Sequence, residues 1–190
     1  MHELLSAQQI ETGVAQLAAR LEARFAGQPV TLVGVLNGGL VFLADLMRHL
    51  QIPVQIETVR ASSYRGATEQ AGELWFDSRA PGGVAGRQVV LVDDIFDTGE
   101  TLTRLRAAAE EWGATGVCTA VLLWKRARSQ AGRVPDEYVF EIPDLFVVGY
   151  GLDYNGAYRH LRGIAVLTDQ SGDTGLSPSN LSFNPPRPCL

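Results

Sequence analysis

Three largely apolar runs constrain the fold of this chain more than any other feature. They are Val30–Leu36, Gln88–Val92 and Gly116–Trp124. Strands that are buried on both faces appear as continuous apolar segments, whereas half-buried strands alternate apolar with polar residues. A glycine-bearing turn and a helical apolar pattern follow each of the first two runs. Buried strands separated by helices predict an α/β fold with a central parallel sheet and helices on both faces.

The N-terminal region is predicted to be an amphipathic helix. Ser6 and Gln9 have the spacing of a capping box, and apolar residues then recur at helical spacing as far as Phe25. Gly27 and Pro29 should end this helix, because neither residue continues a helix well.

Shorter segments predict the remaining strands. Val54–Val59 alternates as a strand should, and the polar stretch Ser62–Gly72 joins it to Leu74–Phe76. This pattern predicts a hairpin with a long, mobile tip. Phe146–Gly149 and Gly163–Thr168 predict two further short strands.

The chain ends in a segment that cannot build a core. Of its 190 residues, the last twenty include twelve that are Ser, Gly, Pro or Asn. This composition offers too little apolar surface to offset the entropy of ordering. We therefore predict one domain over residues 1–170 and a disordered tail over residues 171–190.

Charge and cysteine content exclude several functional classes. The net charge of -5 argues against nucleic acid as a main partner. The two cysteines, Cys118 and Cys189, fit neither a disulfide framework nor a zinc site. The N-terminus lacks a secretory signal, and no apolar stretch is long enough to span a bilayer. The expected location is a reducing cytoplasm.

The run Val89–Leu102 carries the clearest chemical signal. It places Asp93, Asp94 and Asp97 where a parallel strand delivers its loop, and ligands bind at the carboxyl ends of such strands. The segment Thr98–Thr101 opens a helix, where backbone N–H groups can hold a phosphate. The two acids that follow the strand could then hold ribose hydroxyls, directly or through magnesium.

Three other interpretations compete for this run. A nucleotide hydrolase would also carry a Gly-rich loop ending in Lys-Ser or Lys-Thr, and the chain has none. An aspartic protease needs two Asp-Thr-Gly segments on an all-β scaffold. The third alternative is an ordinary turn in which Asp97 caps the helix, although that would leave the adjacent acids unexplained.

The run resembles the phosphoribosyl-diphosphate signature of type I phosphoribosyltransferases. The second half narrows the resemblance to the hypoxanthine-guanine branch through Lys125-Arg126, Phe140–Asp144, Phe146–Asn155 and Arg159. The similarity covers roughly residues 30 to 168. It implies the fold of that family: a central parallel sheet flanked by helices, a small hood formed from the N-terminal and C-terminal parts, and a mobile hairpin loop.

The resemblance implies a role for each matching residue in transfer of a phosphoribosyl group to purine N9. Asp97 would be the general base at purine N7. Asp93, Asp94 and Asp153 would contact Mg²⁺, the implied cofactor. The following residues would bind the phosphoribosyl and diphosphate groups: Asn37, Gly38, Gly39, Asp93, Asp94, Thr98, Gly99, Glu100, Thr101 and Arg159.

Base recognition is implied for a second group of residues. Lys125 would donate to the exocyclic O6, which favours 6-oxopurines over adenine. Phe146 would stack on the purine, the backbone at Val147 would contact its Watson-Crick edge, and Asp153 would also belong to the purine-binding group. Without the resemblance, a lysine at position 125 is usually just solvated, and Phe146 could equally be an aromatic core residue.

Two loops complete the expected site. The resemblance implies a cis peptide bond between Leu36 and Asn37, at the start of the first diphosphate loop. Ser63 and Tyr64 match the tip of a mobile loop that closes over the site and excludes water.

Two alternative functions remain open from the sequence. One is a xanthine-guanine type transferase, and the other is a transcriptional regulator that binds phosphoribosyl diphosphate. The resemblance also implies small-molecule substrates and a homodimer or homotetramer. No membrane partner is expected.

Overall fold

The computed structural model describes residues 1–63, 74–76, 81–130 and 132–167. The helices are α1 (Ala7–Phe25), α2 (Leu40–His49) and α3 (Glu100–Glu111). The strands are β1 (His2–Leu5), β2 (Val30–Leu36), β3 (Val54–Ser63), β4 (Leu74–Phe76), β5 (Gln88–Phe96), β6 (Gly116–Trp124), β7 (Glu137–Glu141), β8 (Val147–Val148) and β9 (Ile164–Val166). None of these helices is long and apolar enough to cross a membrane within the described residues.

The main sheet confirms the predicted α/β architecture. Its six strands run in the order β4-β3-β2-β5-β6-β7. The five strands from β3 to β7 in that order are parallel, and β4 pairs antiparallel with β3. The predicted hairpin is therefore present as the β3–β4 pair, whereas its tip lies outside the described residues.

Helices cover both faces of this sheet, as the continuous apolar runs require. One core cluster includes Leu17 of α1, Phe42 of α2 and Val90 of β5. The other includes Leu91 of β5 and Leu105 of α3. Val90 and Leu91 are adjacent residues that point to opposite faces, so both faces of the strand must be apolar.

The first helix begins as its sequence predicts. The Ser6 side chain accepts a hydrogen bond from the Gln9 backbone N–H, and the Gln9 side chain accepts one from the Ser6 backbone N–H. This is the reciprocal pair of a capping box, and it satisfies two donors at the helix start.

A second, smaller sheet joins the two ends of the described chain. Its strands run in the order β1-β9-β8 and are antiparallel. The sequence analysis did not predict β1 or β7, because short segments show little periodicity and β1 pairs with a strand far away in sequence. The bounds of one domain over residues 1–170 stay a prediction, and the tail 171–190 lies outside the described residues.

The position of Cys118 gives the first testable prediction. This residue of β6 is 2% exposed, and burial raises the pKa of its thiol to about 12. At pH 8 only about one such thiol in 10⁴ is ionised, so the native residue should resist iodoacetamide. Mass spectrometry of the peptide that contains Cys118 measures this without interference from Cys189. Labelling should become fast in denaturant, and equally fast labelling of the native protein would contradict the buried position.

Candidate active site

The loops that carry the predicted site residues emerge side by side. Strands β2, β5 and β6 are parallel neighbours, so their carboxyl ends lie along one edge of the sheet. Residues 37–39 follow β2, residues 97–101 follow β5 and Lys125 follows β6. A ligand at this edge can therefore contact residues that are far apart in sequence.

Asp93 and Asp94 lie inside the sheet rather than after it. The sequence analysis ended this strand at Val92, whereas β5 continues to Phe96 because residues 93, 95 and 96 still pair with β6. Asp93 is 8% exposed, and its carboxylate accepts a hydrogen bond of 2.9 Å from the Asp94 backbone N–H. Burial raises the pKa of Asp93 well above its ordinary value, and the carboxylate of Asp94 adds to this shift. A cation close to Asp93 and Asp94 would stabilise the ionised form of both carboxylates.

The first loop packs directly against the second acid. The peptide bond between Leu36 and Asn37 is cis, which confirms the prediction. A Cβ atom on Gly38 would overlap the Asp94 carboxylate, and one on Gly151 would overlap the Gly38 carbonyl oxygen. Only glycine at these two positions allows the Asp94 side chain and the Gly38 backbone to approach so closely.

Arg159 ties the same region to Asp153. Its Nη1 donates to the Gly151 carbonyl oxygen at 2.6 Å, and its Nη2 lies 2.7 Å from Asp153 Oδ1. The guanidinium group also acts to lower the pKa of Asp94, although burial raises that pKa more strongly. We refer to Gly38, Asp94, Gly151, Asp153 and Arg159 as the Gly38 cluster.

The loop after β5 is not built around a side-chain cap. Gly99 occupies the N-cap of α3 with φ of 79°, so the alternative in which Asp97 caps the helix is wrong. The Thr98 hydroxyl oxygen accepts a hydrogen bond from the Glu100 backbone N–H at 3.4 Å. The Glu100 carboxylate pairs with Arg104 at 2.7 Å along α3.

Asp97 belongs to a group of four charged side chains. Arg128 Nε donates to Asp97 Oδ1 at 2.9 Å, and Arg128 Nη1 lies 3.7 Å from Asp144 Oδ2. Asp144 also pairs with Lys125 Nζ at 3.2 Å. We refer to Asp97, Lys125, Arg128 and Asp144 as the Asp97 cluster. It places two cations and two anions at the carboxyl ends of β5 and β6.

Lys125 is largely shielded from solvent, whereas Phe146 is exposed, the reverse of what is usual for these residue types. The Lys125 side chain is only 12% exposed, so it is not a solvated surface lysine. Phe146 is 52% exposed and makes an edge contact with Tyr154, with ring centroids 5.6 Å apart. An exposed aromatic face beside a buried strand residue, Val147, suits stacking of a flat ligand.

Comparison with known proteins identifies the family. A family model for the phosphoribosyl transferase domain matches residues 1–155. The chain is 37% identical over 167 residues to the hypoxanthine-guanine phosphoribosyltransferase of Streptococcus pneumoniae, covering 88% of this chain and 93% of that protein. This chain belongs to the hypoxanthine-guanine phosphoribosyltransferase family. It is also 37% identical to the hypoxanthine phosphoribosyltransferase of Salmonella typhimurium over 169 residues, covering 85% and 93% of the two chains.

Solved structures of hypoxanthine-guanine phosphoribosyltransferases share the fold. The Bacillus anthracis enzyme with a HEPES molecule in its active site superposes with a TM-score of 0.82 at 34% identity. The match covers 88% of this chain and 99% of that one. The present chain is therefore a phosphoribosyltransferase with the type I fold, as predicted.

The acids of this phosphoribosyltransferase supply oxygen donors of the kind that bind a hard cation. Among the described residues, no three His, Cys, Asp or Glu side chains come together as a metal-holding group. Asp93, Asp94 and Asp153 therefore do not form a closed cage. Mg²⁺ commonly binds through one or two carboxylates together with substrate phosphates, and this donor set fits that mode.

The predicted closing loop is outside the part of the enzyme that can be described. Ser63 is the last residue of β3, and Tyr64 lies outside the described residues. Their role in loop closure stays a prediction.

Sequence analysis missed two residues of the Asp97 cluster. Arg128 was not singled out, and Asp144 was one residue of the family pattern without a role of its own. The signal that could have identified Arg128 is its position three residues after Lys125, since residues at this spacing share one side of a helical turn.

Proposed function

We propose that this enzyme transfers the 5-phosphoribosyl group of phosphoribosyl diphosphate to N9 of hypoxanthine or guanine. The products are IMP or GMP and diphosphate. The observation that carries this proposal is the Asp97 cluster, in which a carboxylate and a lysine ammonium lie on adjacent strand ends. A 6-oxopurine presents a hydrogen-bond acceptor at O6 and, in its N7-protonated form, a donor at N7, so the two groups complement its edge.

In this proposal Asp97 accepts the N7 proton while N9 attacks ribose C1. General base assistance of this kind contributes about 10²- to 10⁴-fold to the rate. Lys125 donates to O6, Phe146 stacks on the purine ring, and the backbone at Val147 contacts the Watson-Crick edge. Adenine has an amino group at this position, so the Lys125 ammonium would face a second donor there and gain no hydrogen bond from the base.

The Gly38 cluster would hold the diphosphate in this reaction. Asn37 and Gly38 would offer backbone N–H groups, Gly39 lies in the same loop with its N–H bonded to the Val35 carbonyl oxygen, and Arg159 has a planar guanidinium that matches phosphate oxygens. The residues Thr98–Thr101 open α3, where backbone N–H groups favour an anion. Donors that are already in place stabilise the charge of the leaving diphosphate as its bond to ribose C1 breaks.

Mg²⁺ is the proposed cofactor. Asp93, Asp94 and Asp153 would hold it together with the substrate, directly or through water. When bound, it would neutralise charge on the diphosphate as that group leaves. A homodimer or homotetramer remains part of the proposal.

Initial rates with four bases test the proposal. With phosphoribosyl diphosphate and Mg²⁺ present, we expect turnover of hypoxanthine or guanine and a kcat/KM for adenine at least about 10²-fold lower. Removal of Mg²⁺ with EDTA is the control and should abolish the reaction. Turnover of xanthine and guanine without hypoxanthine would favour the xanthine-guanine type instead. Binding of phosphoribosyl diphosphate without any turnover would favour a regulator.

A further inference from the structure

We propose that Arg128 is a positioning residue for this reaction, because it holds the Asp97 carboxylate in place at the purine site. The inference rests on the proposed function, in which Asp97 is the general base. Arg128 Nε donates to Asp97 Oδ1 at 2.9 Å, and Arg128 Nη2 lies 3.5 Å from Asp97 Oδ2. The two nitrogens of one guanidinium group therefore face the two oxygens of one carboxylate.

The Asp97 carboxylate needs such a partner. Asp97 follows the last residue of β5 and lies three residues before the start of α3, so it belongs to neither a strand nor a helix. Its side chain is 41% exposed, and an exposed aspartate on a loop can adopt several rotamers. A guanidinium group that faces both oxygens restricts the plane of the carboxylate as well as its position, which a single ammonium cannot do.

Arg128 is itself held on a turn that is anchored to both strands. It ends a 3₁₀ turn, Arg126–Arg128, that follows β6. Immediately after this turn, the Ser129 hydroxyl accepts a hydrogen bond from Trp124 Nε1 at 2.8 Å and lies 3.3 Å from the Asp97 carbonyl oxygen. The turn therefore contacts β6 and the Asp97 loop together, so the fold itself sets the approach of Arg128 to Asp97.

Asp144 links the Arg128–Asp97 pair to Lys125, the residue proposed to donate to O6 of the base. It lies 3.7 Å from Arg128 and 3.2 Å from Lys125. The exposed fractions of Arg128, Asp97 and Asp144 are 48%, 41% and 48%, so solvent weakens these ion pairs and a ligand can exchange them. Asp144 therefore contacts both the cation that holds Asp97 and the lysine proposed to contact O6.

A double-mutant cycle between Arg128→Met and Asp97→Asn tests the inference. If Arg128 acts through Asp97, Arg128→Met should lower kcat/KM for hypoxanthine by about 10-fold in the unmutated background and by less than about twofold in the Asp97→Asn background. The KM for phosphoribosyl diphosphate should change by less than about twofold, because Arg128 lies outside the Gly38 cluster. Arg128→Lys keeps the positive charge but lacks the planar guanidinium group, so its kcat/KM should lie between those of Arg128→Met and the unmutated enzyme.

Arg126→Met is the matched control. Arg126 starts the same 3₁₀ turn, but its guanidinium group faces Glu141 at 3.8 Å and the Trp124 ring at 5.5 Å. Arg126→Met should therefore leave kcat/KM for hypoxanthine unchanged. An equal loss from Arg128→Met in both backgrounds, or an equal loss from Arg126→Met, would overturn the inference alone and leave the proposed function intact. If Asp97→Asn reacts as fast as the unmutated enzyme, the general-base assignment fails and the inference fails with it.

Discussion

Replacing Asp97 with asparagine should lower kcat/KM for hypoxanthine by about 10²- to 10⁴-fold, the largest effect that we expect from any single change. Asparagine has nearly the same shape, and its amide oxygen can still accept a hydrogen bond from Arg128. It cannot take the N7 proton, because an amide is not a base at neutral pH. The loss should therefore fall mainly on kcat, as expected when an interaction belongs to the transition state.

Initial rates over a range of hypoxanthine concentrations separate kcat from KM for this variant. Glu111→Gln is a suitable control, since it makes the same carboxylate-to-amide change at an exposed position in the last turn of α3. We expect no loss of rate there. A kcat for Asp97→Asn within about threefold of the unmutated value would contradict a general base at this position.

Replacing Gly38 with alanine should lower kcat/KM for phosphoribosyl diphosphate by about 10²-fold. The added methyl group would overlap the Asp94 carboxylate, so the first loop, the acid or both must move. Misplacement of a binding group by about 1 Å can cost a factor of this size. Gly151 packs against the Gly38 carbonyl oxygen, so the displacement should extend to the loop that carries Asp153 and Arg159.

The control for Gly38→Ala is Gly82→Ala. A Cβ atom at Gly82 meets no other atom within 4 Å, so this variant should keep its activity. Comparing the thermal midpoints of both variants with the unmutated enzyme shows whether any loss arises from unfolding. Unchanged kinetics for Gly38→Ala would mean that the close packing of the first loop on Asp94 has no part in substrate binding.

Sequence patterns predicted the elements that are buried on both faces. The runs that became β2, β5 and β6 are continuous in apolar residues because helices cover both sides of the sheet. Short elements escaped prediction. His2–Leu5 and Glu137–Glu141 are strands only because a partner strand lies beside them, and a segment of four or five residues carries too little periodicity to show this.

The end of β5 shows a similar limit. Sequence reasoning ended the strand at the first charged residue, since acids are rare in a buried strand. The structure continues β5 through both acids because Asp93, Ile95 and Phe96 keep the ladder with β6. Burial of the acids is a consequence of this pairing, and the raised pKa of Asp93 follows from it.

What the sequence by itself determined is the order of the helices and the long buried strands, the family resemblance and the loops that carry its motif. These depend on local periodicity and on residues that stand close together in the chain. Only the tertiary structure decided which side chains meet. Asp97 and Arg128 are 31 residues apart, and Gly151 packs on Gly38 from the far end of the chain. Such contacts arise because parallel strands bring their carboxyl ends to one edge, and strand order is a property of the whole packed sheet rather than of any segment.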